Sequence, residues 1–432
     1  MPGERLNTAP PTATPVSAAS ARNILVVLTA VNLFNYIDRF VVPGLAQSLK
    51  ESPLQLSDAR LGLLATGFLA IYALVSPLFG RLGDTRARPR AIAAGVGLWS
   101  IATVLGGFAT SFVTLLGARA LVGVGEAAYG TIAPSVLADC FPLSRRGRVF
   151  AIFYAAIPIG GALGYVLAGV MNAHFGWRSA FFVAGIPGLL LTALVLRLPD
   201  PPRGAADATP VAASSQNGWQ RYRDLIANAP YVITVLGYAA YTFALGGLAW
   251  WMPAFLERVR GVPREQASVQ IGLIVVVTGF VGTFAGGWLG DVVLRYTRNA
   301  YLLVSGIATL LAAPCALVAL MATRPTTYMT ALVAAELLLF VSTGPINTAI
   351  INSVAATERA TAMAVSILLI HLLGDVPSPY IVGLLSDARV AAGGTSAAGL
   401  QHAVLILPMA IIISGVIWTA GAFAKGPISS RP

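Results

Sequence analysis

Charge is what this chain has least of. Lys and Arg number 28 and Asp and Glu 17, so charged residues make 10% of 432 positions. A soluble domain averages roughly 25%. Too few polar side chains remain to clothe a soluble fold, which excludes a cytosolic enzyme, a secreted module and a disordered chain. Cysteine is nearly absent as well. Two, Cys140 and Cys315, stand in separate apolar blocks, which excludes a disulfide framework and a thiolate metal centre. Three histidines, at 174, 371 and 402, are too scattered for a metal-ligating motif, and no metal or cofactor is expected. Lysine is missing too: Lys50 and Lys425 are the only two. An arginine-only habit with abundant Ala and Gly is a compositional mark of a GC-rich bacterial genome.

Catalytic signatures are also lacking. The chain has no Gly-x4-Gly-Lys-Ser/Thr phosphate loop, no His-Glu-x-x-His and no Gly-x-Ser-x-Gly. An ATP-driven pump and a lipid-processing membrane enzyme are therefore disfavoured, and the protein is not expected to be an enzyme.

Present instead is apolar sequence, 56% of the chain, with mean hydropathy +0.77. It comes in long continuous blocks. A bilayer core of about 30 Å takes about 20 helical residues, whereas a membrane β-barrel would show ~10-residue segments of alternating polarity. The blocks predict an all-α membrane protein with 12 spans, near 23–49, 58–83, 90–108, 111–140, 146–172, 178–197, 230–257, 266–294, 300–322, 327–354, 360–387 and 399–424. A Pro-, Ala- and Thr-rich tail over 1–22 is expected to be flexible. Residues 198–229, opening Pro199-Asp200-Pro201-Pro202, read as a linker. It separates a six-helix bundle over 23–197 from another over 230–424, with a short tail at 425–432.

The net charge of +11 is spread between the blocks, which points to membrane topology and not to nucleic acid. One side receives 18 of the 28 basic residues and the other 8, with Arg39 and Arg119 inside spans. By the positive-inside rule the richer side is cytoplasmic. Both termini, the linker and a bacterial inner-membrane location follow as expectations.

An internal repeat supports the division. Gly80-Arg-Leu-Gly-Asp84 follows span 2, and Gly287-Trp-Leu-Gly-Asp291 follows span 8, each with arginines just beyond. Paired six-span repeats around a central site are a secondary-transporter architecture.

The first of those loops, with Arg88 and Arg90 behind it, resembles the signature of the major facilitator superfamily. A narrower resemblance is to its spinster-like branch. It rests on Asn35-Tyr-Ile-Asp38-Arg39, on Arg119-Ala-Leu-Val-Gly-Val-Gly-Glu126-Ala-Ala-Tyr129, on Pro158-Ile-Gly160-Gly-Ala-Leu-Gly164-Tyr165 and on His371-Leu-Leu-Gly374-Asp375. It covers nearly the whole chain apart from tail and linker. The resemblance implies a proton-coupled carrier of lysophospholipids or sphingosine-phosphate-like lipids. It also implies a conformational latch of Gly80, Asp84 and Arg88 against the start of span 11, near Glu358 and Arg359. A stray acid in an ordinary basic loop is the plainer reading of Asp84.

Ionisable residues deep in a span cost at least ~2.5–3.5 kcal/mol each on insertion scales. Here they are Asp38, Arg39, Arg119, Glu126, Glu336, His371 and Asp375. Arg119 and Glu126 lie seven apart on one helix face, roughly 10 Å apart along the axis, so each needs a partner elsewhere. Pairing Asp38 with Arg119 and Arg39 with Glu126 is one natural solution, serving either as static fasteners or as a working site. As a working site, Asp38 and Glu126 are the proton-coupling acids. Arg39 and Arg119 grip an anionic head group, since guanidinium stays charged and binds phosphate or carboxylate bidentately. Tyr129, a turn from Glu126, is a further lining candidate.

His371 and Asp375 share a face of span 11 and either line the cavity or mark a helix break made by Gly374 and Pro377. Glu336 has no sequence-local partner and fits protonated packing as well as transport. Other aromatics and prolines in spans, such as Tyr36, Trp250 and Pro158, read mainly as packing and bends. The expected function is secondary transport of an anionic amphipath by a monomer through rocker-switch alternating access. The rival cargo is a hydrophobic drug or a small organic anion.

Overall fold

The computed structural model describes residues 17–203, 218–354 and 359–423. Among them, regular structure is entirely helical, because a chain in lipid must satisfy its backbone within each segment. Twelve helices are long and apolar enough to cross a membrane: spans 1 (Ala18–Gly44), 2 (Asp58–Gly80), 3 (Arg88–Gly107), 4 (Phe112–Cys140), 5 (Ile152–Phe175), 6 (Trp177–Leu196), 7 (Ala229–Arg258), 8 (Arg264–Leu294), 9 (Ala300–Met321), 10 (Pro325–Ile350), 11 (Val365–Ala391) and 12 (Ser396–Phe423). Short polar residues start them. Ser57 accepts from the Arg60 N–H, Ser111 and Thr114 cap each other, and Asn228 accepts from the Tyr231 N–H.

The helices form two six-helix bundles whose internal packing repeats. Spans 1 and 5, 3 and 4, 3 and 6, and 2 and 4 pack together in the first half. Spans 7 and 11, 9 and 10, 9 and 12, and 8 and 10 do so in the second. This is the major facilitator fold that the repeated Gly-x-x-x-Asp loop predicts. With an even number of spans, both described chain ends lie on one face, the termini face; the other is the distal face.

Several helices differ in detail from the hydropathy reading. Span 1 stops at Gly44 after Pro43, and a separate short helix, Ala46–Glu51, follows. The expected linker is not all coil. A helix over Gly218–Ala227 buries Leu225 against Tyr231, Val235 and Ile350 of the second half. Span 10 breaks at Ser342, whose hydroxyl meets Thr309 Oγ1 at 3.0 Å and donates to the Ser305 carbonyl. In span 11 one π-helical turn, His371–Asp375, interrupts the α-helix. The wider turn passes the Val376 N–H to His371 O and leaves the Ile370 carbonyl to Thr242 Oγ1, at 2.9 Å. Beyond the break, Thr66 Oγ1 donates to the Val376 carbonyl and Trp251 Nε1 to the Pro379 carbonyl.

The halves touch unequally. Spans 5 and 8 pack, as do spans 2 and 11. Among the described residues, the hydrogen bonds between halves lie from mid-membrane to the distal face: Tyr165 to Ala249, Thr66 to Val376, Ser268 to Gly44, and a cluster around Asp58. There spans 2 and 11 come so close that a Cβ on Gly62 would overlap the Pro379 carbonyl, and one on Gly383 the Asp58 carbonyl. Toward the termini face the same spans part. Span 2 exposes Leu74 and Leu78, and span 11 exposes Leu368 and Leu372, while Leu61, Leu64 and Val382 at the distal end are sealed.

Gly62→Val should therefore keep the distal face from closing. In a background lacking Cys140 and Cys315, a cysteine replacing buried Ala267 should react with maleimide severalfold faster in the Gly62→Val protein. An equal rate would mean that this close approach does not hold the seal.

Candidate functional site

The four charges of spans 1 and 4 meet in the first half. Arg39 Nη2 donates to Glu126 Oε2 at 2.7 Å, and Nε adds a longer bond to the same oxygen at 3.2 Å. Glu126 is completely buried. Arg119 Nη1 lies 3.6 Å from Asp38 Oδ2, both side chains being at most 2% exposed. The two ion pairs differ in kind. The first is a short charge-assisted hydrogen bond. The second is electrostatic proximity: both Asp38 oxygens and Arg119 Nε and Nη1 have no hydrogen-bond partner.

Aromatic rings make up part of the difference. The Phe68 ring lies 4.7 Å from the Arg119 guanidinium carbon and 5.1 Å from that of Arg39. Tyr36 and Tyr72 also flank Arg39, at 5.0 and 5.3 Å. A desolvated guanidinium over an aromatic face gains about 2 kcal/mol.

These arginines line an open cavity of about 650 Å³ between the halves. Tyr36, Phe68, Arg39 and Arg119 contribute from the first half, and Trp250 and Asp375 from the second. The Trp250 indole N–H is buried without a partner. Asp375 holds His371, whose Nδ1 sits 2.9 and 3.0 Å from its two carboxylate oxygens. The π turn thus turns one acid toward the cavity and ties it to a histidine one turn away.

Other expected site residues lie elsewhere. Tyr129 is buried among Trp99 and Phe153, and its hydroxyl donates to the Leu28 carbonyl at 2.7 Å. It ties span 4 to span 1 and is not in the cavity wall. Nearness to Glu126 along the helix suggested a lining role, but its ring points into the bundle.

Arg88, expected in a latch against span 11, makes all its described contacts within the first half and the segment after it. It is 2% exposed and holds Asp139 of span 4, Asp200 at 2.9 Å and the Pro201 carbonyl. Arg203 in turn donates to the Gly83 and Arg86 carbonyls. Gly80 lies on span 2 below this turn. The Asp84 and Arg359 side chains and Glu358 lie outside the described part of the structure. Glu336 is buried in span 10, away from the cavity wall.

A polar cluster on the distal face was not anticipated. Asp58, wholly buried, accepts from Lys50 Nζ at 2.7 Å, from Arg258 Nη1 at 2.6 Å and from Ser386 Oγ at 2.6 Å. Asp387 accepts from the Asp58 and Ala59 N–H groups, capping span 2 from the other half. Arg258 also reaches Gln47, and Arg264 joins Glu51 to Glu257. The available signal was Ser57-Asp58 at the head of a span with basic residues in the facing loops.

Comparison with known proteins fits this geometry. The Major Facilitator Superfamily pattern matches residues 28–379. Spinster homolog 3 of Danio rerio is 33% identical over 430 residues, spanning 94% of this chain and 86% of its own. Spinster homolog 1 of Homo sapiens is 36% identical over 399 residues, 87% of this chain and 74% of its own. The chain belongs to the spinster family of the Major Facilitator Superfamily. This spinster-family protein is a multi-pass membrane transporter for a small-molecule substrate. Its fold matches the crystal structure of a bacterial homolog to the human lysosomal transporter spinster, inward-facing and unoccupied. The TM-score is 0.84 at 25% identity, with 94% of this chain and 98% of the other covered.

Arg88 is a buried charge tied to Asp139, Asp200 and the Pro201 carbonyl, and its loss removes those contacts together. Arg88→Ala should destabilise the spinster-family fold by about 3 kcal/mol, read as a fall of several degrees in the thermal unfolding midpoint in detergent. An unchanged midpoint would show that Asp139 and Asp200 find water instead.

Proposed function

We propose that this transporter carries an anionic amphipath, of the lysophospholipid or sphingosine-phosphate kind, coupled to protons by rocker-switch alternating access. The observation that carries the reading is the pair of arginines in an aromatic cavity, each opposed by a buried carboxylate. Arg119 supports the head-group role best. Its Nε and Nη1 donors are buried and unpartnered, and buried donors left unmade cost about 1–3 kcal/mol each. A phosphate or carboxylate oxygen in the cavity would give Nε the charge-assisted bond it lacks. The rings of Tyr36, Phe40, Phe68 and Trp250 offer apolar wall for the rest of an amphipath. Asp375, across the cavity with His371, suits a cationic group on the same molecule.

Coupling follows from competition for the arginines. Asp38 and Glu126 each face a guanidinium, of Arg119 and Arg39, which favours the charged carboxylate. An anion that draws either guanidinium away leaves an uncompensated buried carboxylate, which then takes a proton. Opening and closing follow from the distal cluster around Asp58 and the parted termini face, which support an inward-open state with both termini cytoplasmic in a bacterial inner membrane. A monomer suffices, since both halves of the cavity come from one chain. The Gly80, Asp84 and Arg88 turn is proposed to act on the termini face when the halves swing the other way.

Uptake into proteoliposomes across a panel of lysolipids, drugs and small organic anions, with and without an imposed pH gradient, tests the cargo and the coupling together. Lysolipid accumulation that follows the gradient is expected; preference for an uncharged drug would defeat the head-group reading. The Asp38→Asn/Glu126→Gln protein should lose gradient-driven accumulation, and retention of it would refute these two acids as couplers. Arg119→Lys keeps the charge but loses the planar fork, so lysolipid affinity should fall roughly tenfold. Wild-type affinity in that variant would mean the guanidinium does not touch the head group.

A further inference from the structure

Glu336 differs from the other buried acids of this protein. Asp38, Glu126 and Asp58 each face an arginine. Glu336, 9% exposed, has no ion pair or hydrogen bond among the described residues. It stands eleven residues into span 10, at roughly 16 Å along the helix from the distal face, which is mid-membrane. The titratable groups facing it are the phenols of Tyr165 from span 5 and Tyr241 from span 7. Both have committed their protons elsewhere. Tyr165 donates to the Ala249 carbonyl, and Tyr241 donates to the Leu339 carbonyl at 2.6 Å. Leu332, Ala335 and Leu339 around it are closed to solvent. Among the described residues no hydrogen-bond donor or cation pairs with its carboxyl group, so the group that fits this place is the neutral acid.

The position also has a gate. Tyr165 belongs to the first half and Ala249 to the second, so their bond spans the interface on its sealed side. It stands with the Ser268–Gly44 and Thr66–Val376 bonds. All three must part when the distal face opens, which frees the Tyr165 hydroxyl and lets water in beside Glu336.

We propose that Glu336 is a second proton-binding site, set in the second half, which holds its proton while the distal face is sealed and releases it to that side when the face opens. The inference rests on the alternating-access reading above. The acid of the first half is controlled by arginine and substrate, whereas this one is controlled by water access through the Tyr165 contact. The step is a proton transfer: the carboxyl O–H bond breaks as a water molecule gains the proton, leaving a carboxylate that is later reprotonated.

Infrared difference spectroscopy of the purified full-length protein in lipid reads the site without substrate, so its outcome is independent of the transport reading. A protonated-carboxyl stretch at neutral pH is expected in wild type, lost in Glu336→Gln and kept in Asp38→Asn/Glu126→Gln. A band unchanged in Glu336→Gln overturns the proposal. Glutamine mimics the neutral acid and preserves the packing, so the protein should elute and melt as wild type. In proteoliposomes its gradient-driven accumulation should nevertheless fall at least fivefold, with most of it restored in Glu336→Asp. Wild-type accumulation in Glu336→Gln would make the residue a packing acid only, and would equally overturn the proposal.

Discussion

A charge in the apolar centre of a bilayer needs a counter-charge, and this fold is arranged around that requirement. Spans 1 and 4 carry two acids and two bases, and the members of each pair come from different helices. Adjacent residues on span 1 point about 100° apart, so Asp38 and Arg39 cannot serve each other and must reach across. Arg119 and Glu126, seven apart on one face of span 4, receive them. The crossed pairing meets this spacing, fastens the spans and leaves both guanidiniums at the cavity wall. Phe68 between them lets two like charges share one small space.

The faces of the molecule solve the problem of holding together in different ways. On the distal face, contacts cross between halves: Asp58 gathers Lys50, Arg258 and Ser386, and glycine lets spans 2 and 11 meet backbone to backbone. On the termini face, the contacts of the described residues Arg88 and Arg203 stay within the first half and its flanking segment and bind the 83–88 turn to the chain after span 6. A face whose bonds cross the interface is shut, and a face whose bonds do not cross it is free to gape. The cavity opens accordingly, and the π turn of span 11 sits where the sealed stretch ends and the open one begins.

The spans, their sixfold halves and the crossed ion pairs could be read from sequence because each depends on a period. Twenty apolar residues cross a bilayer, and 3.6 residues make a turn. What could not be read depends on contact instead. Tyr129 follows Glu126 by three residues, yet the direction of its ring is set by the Leu28 carbonyl of another helix. Arg88 looked like part of a loop facing the other half because its true partner, Asp200, lies 112 positions away in a stretch that read as linker. The distal cluster escaped notice because loop charges were weighed together for topology, and a sum over loops hides which acid meets which base. The helix at Gly218–Ala227 is polar enough to pass for linker; among its described side chains Leu225 is buried against the second half.

The first half balances its own charge, and that has a consequence for the proposed exchange. With Asp38 and Glu126 ionised and Arg39 and Arg119 charged, the cluster is neutral. An anionic head group bound there would leave one excess negative charge in a medium where unit charges interact strongly even at an effective dielectric near 20. Protonating a single carboxylate restores neutrality, so head-group entry and proton uptake favour each other through charge conservation, whichever acid takes the proton. Glu336 obeys a different rule. With no cation near it among the described residues, it is proposed to hold its proton when dry and release it only when wet. A carrier with one acid answering to cargo and another answering to the open face would register both events that an exchange cycle must keep in order.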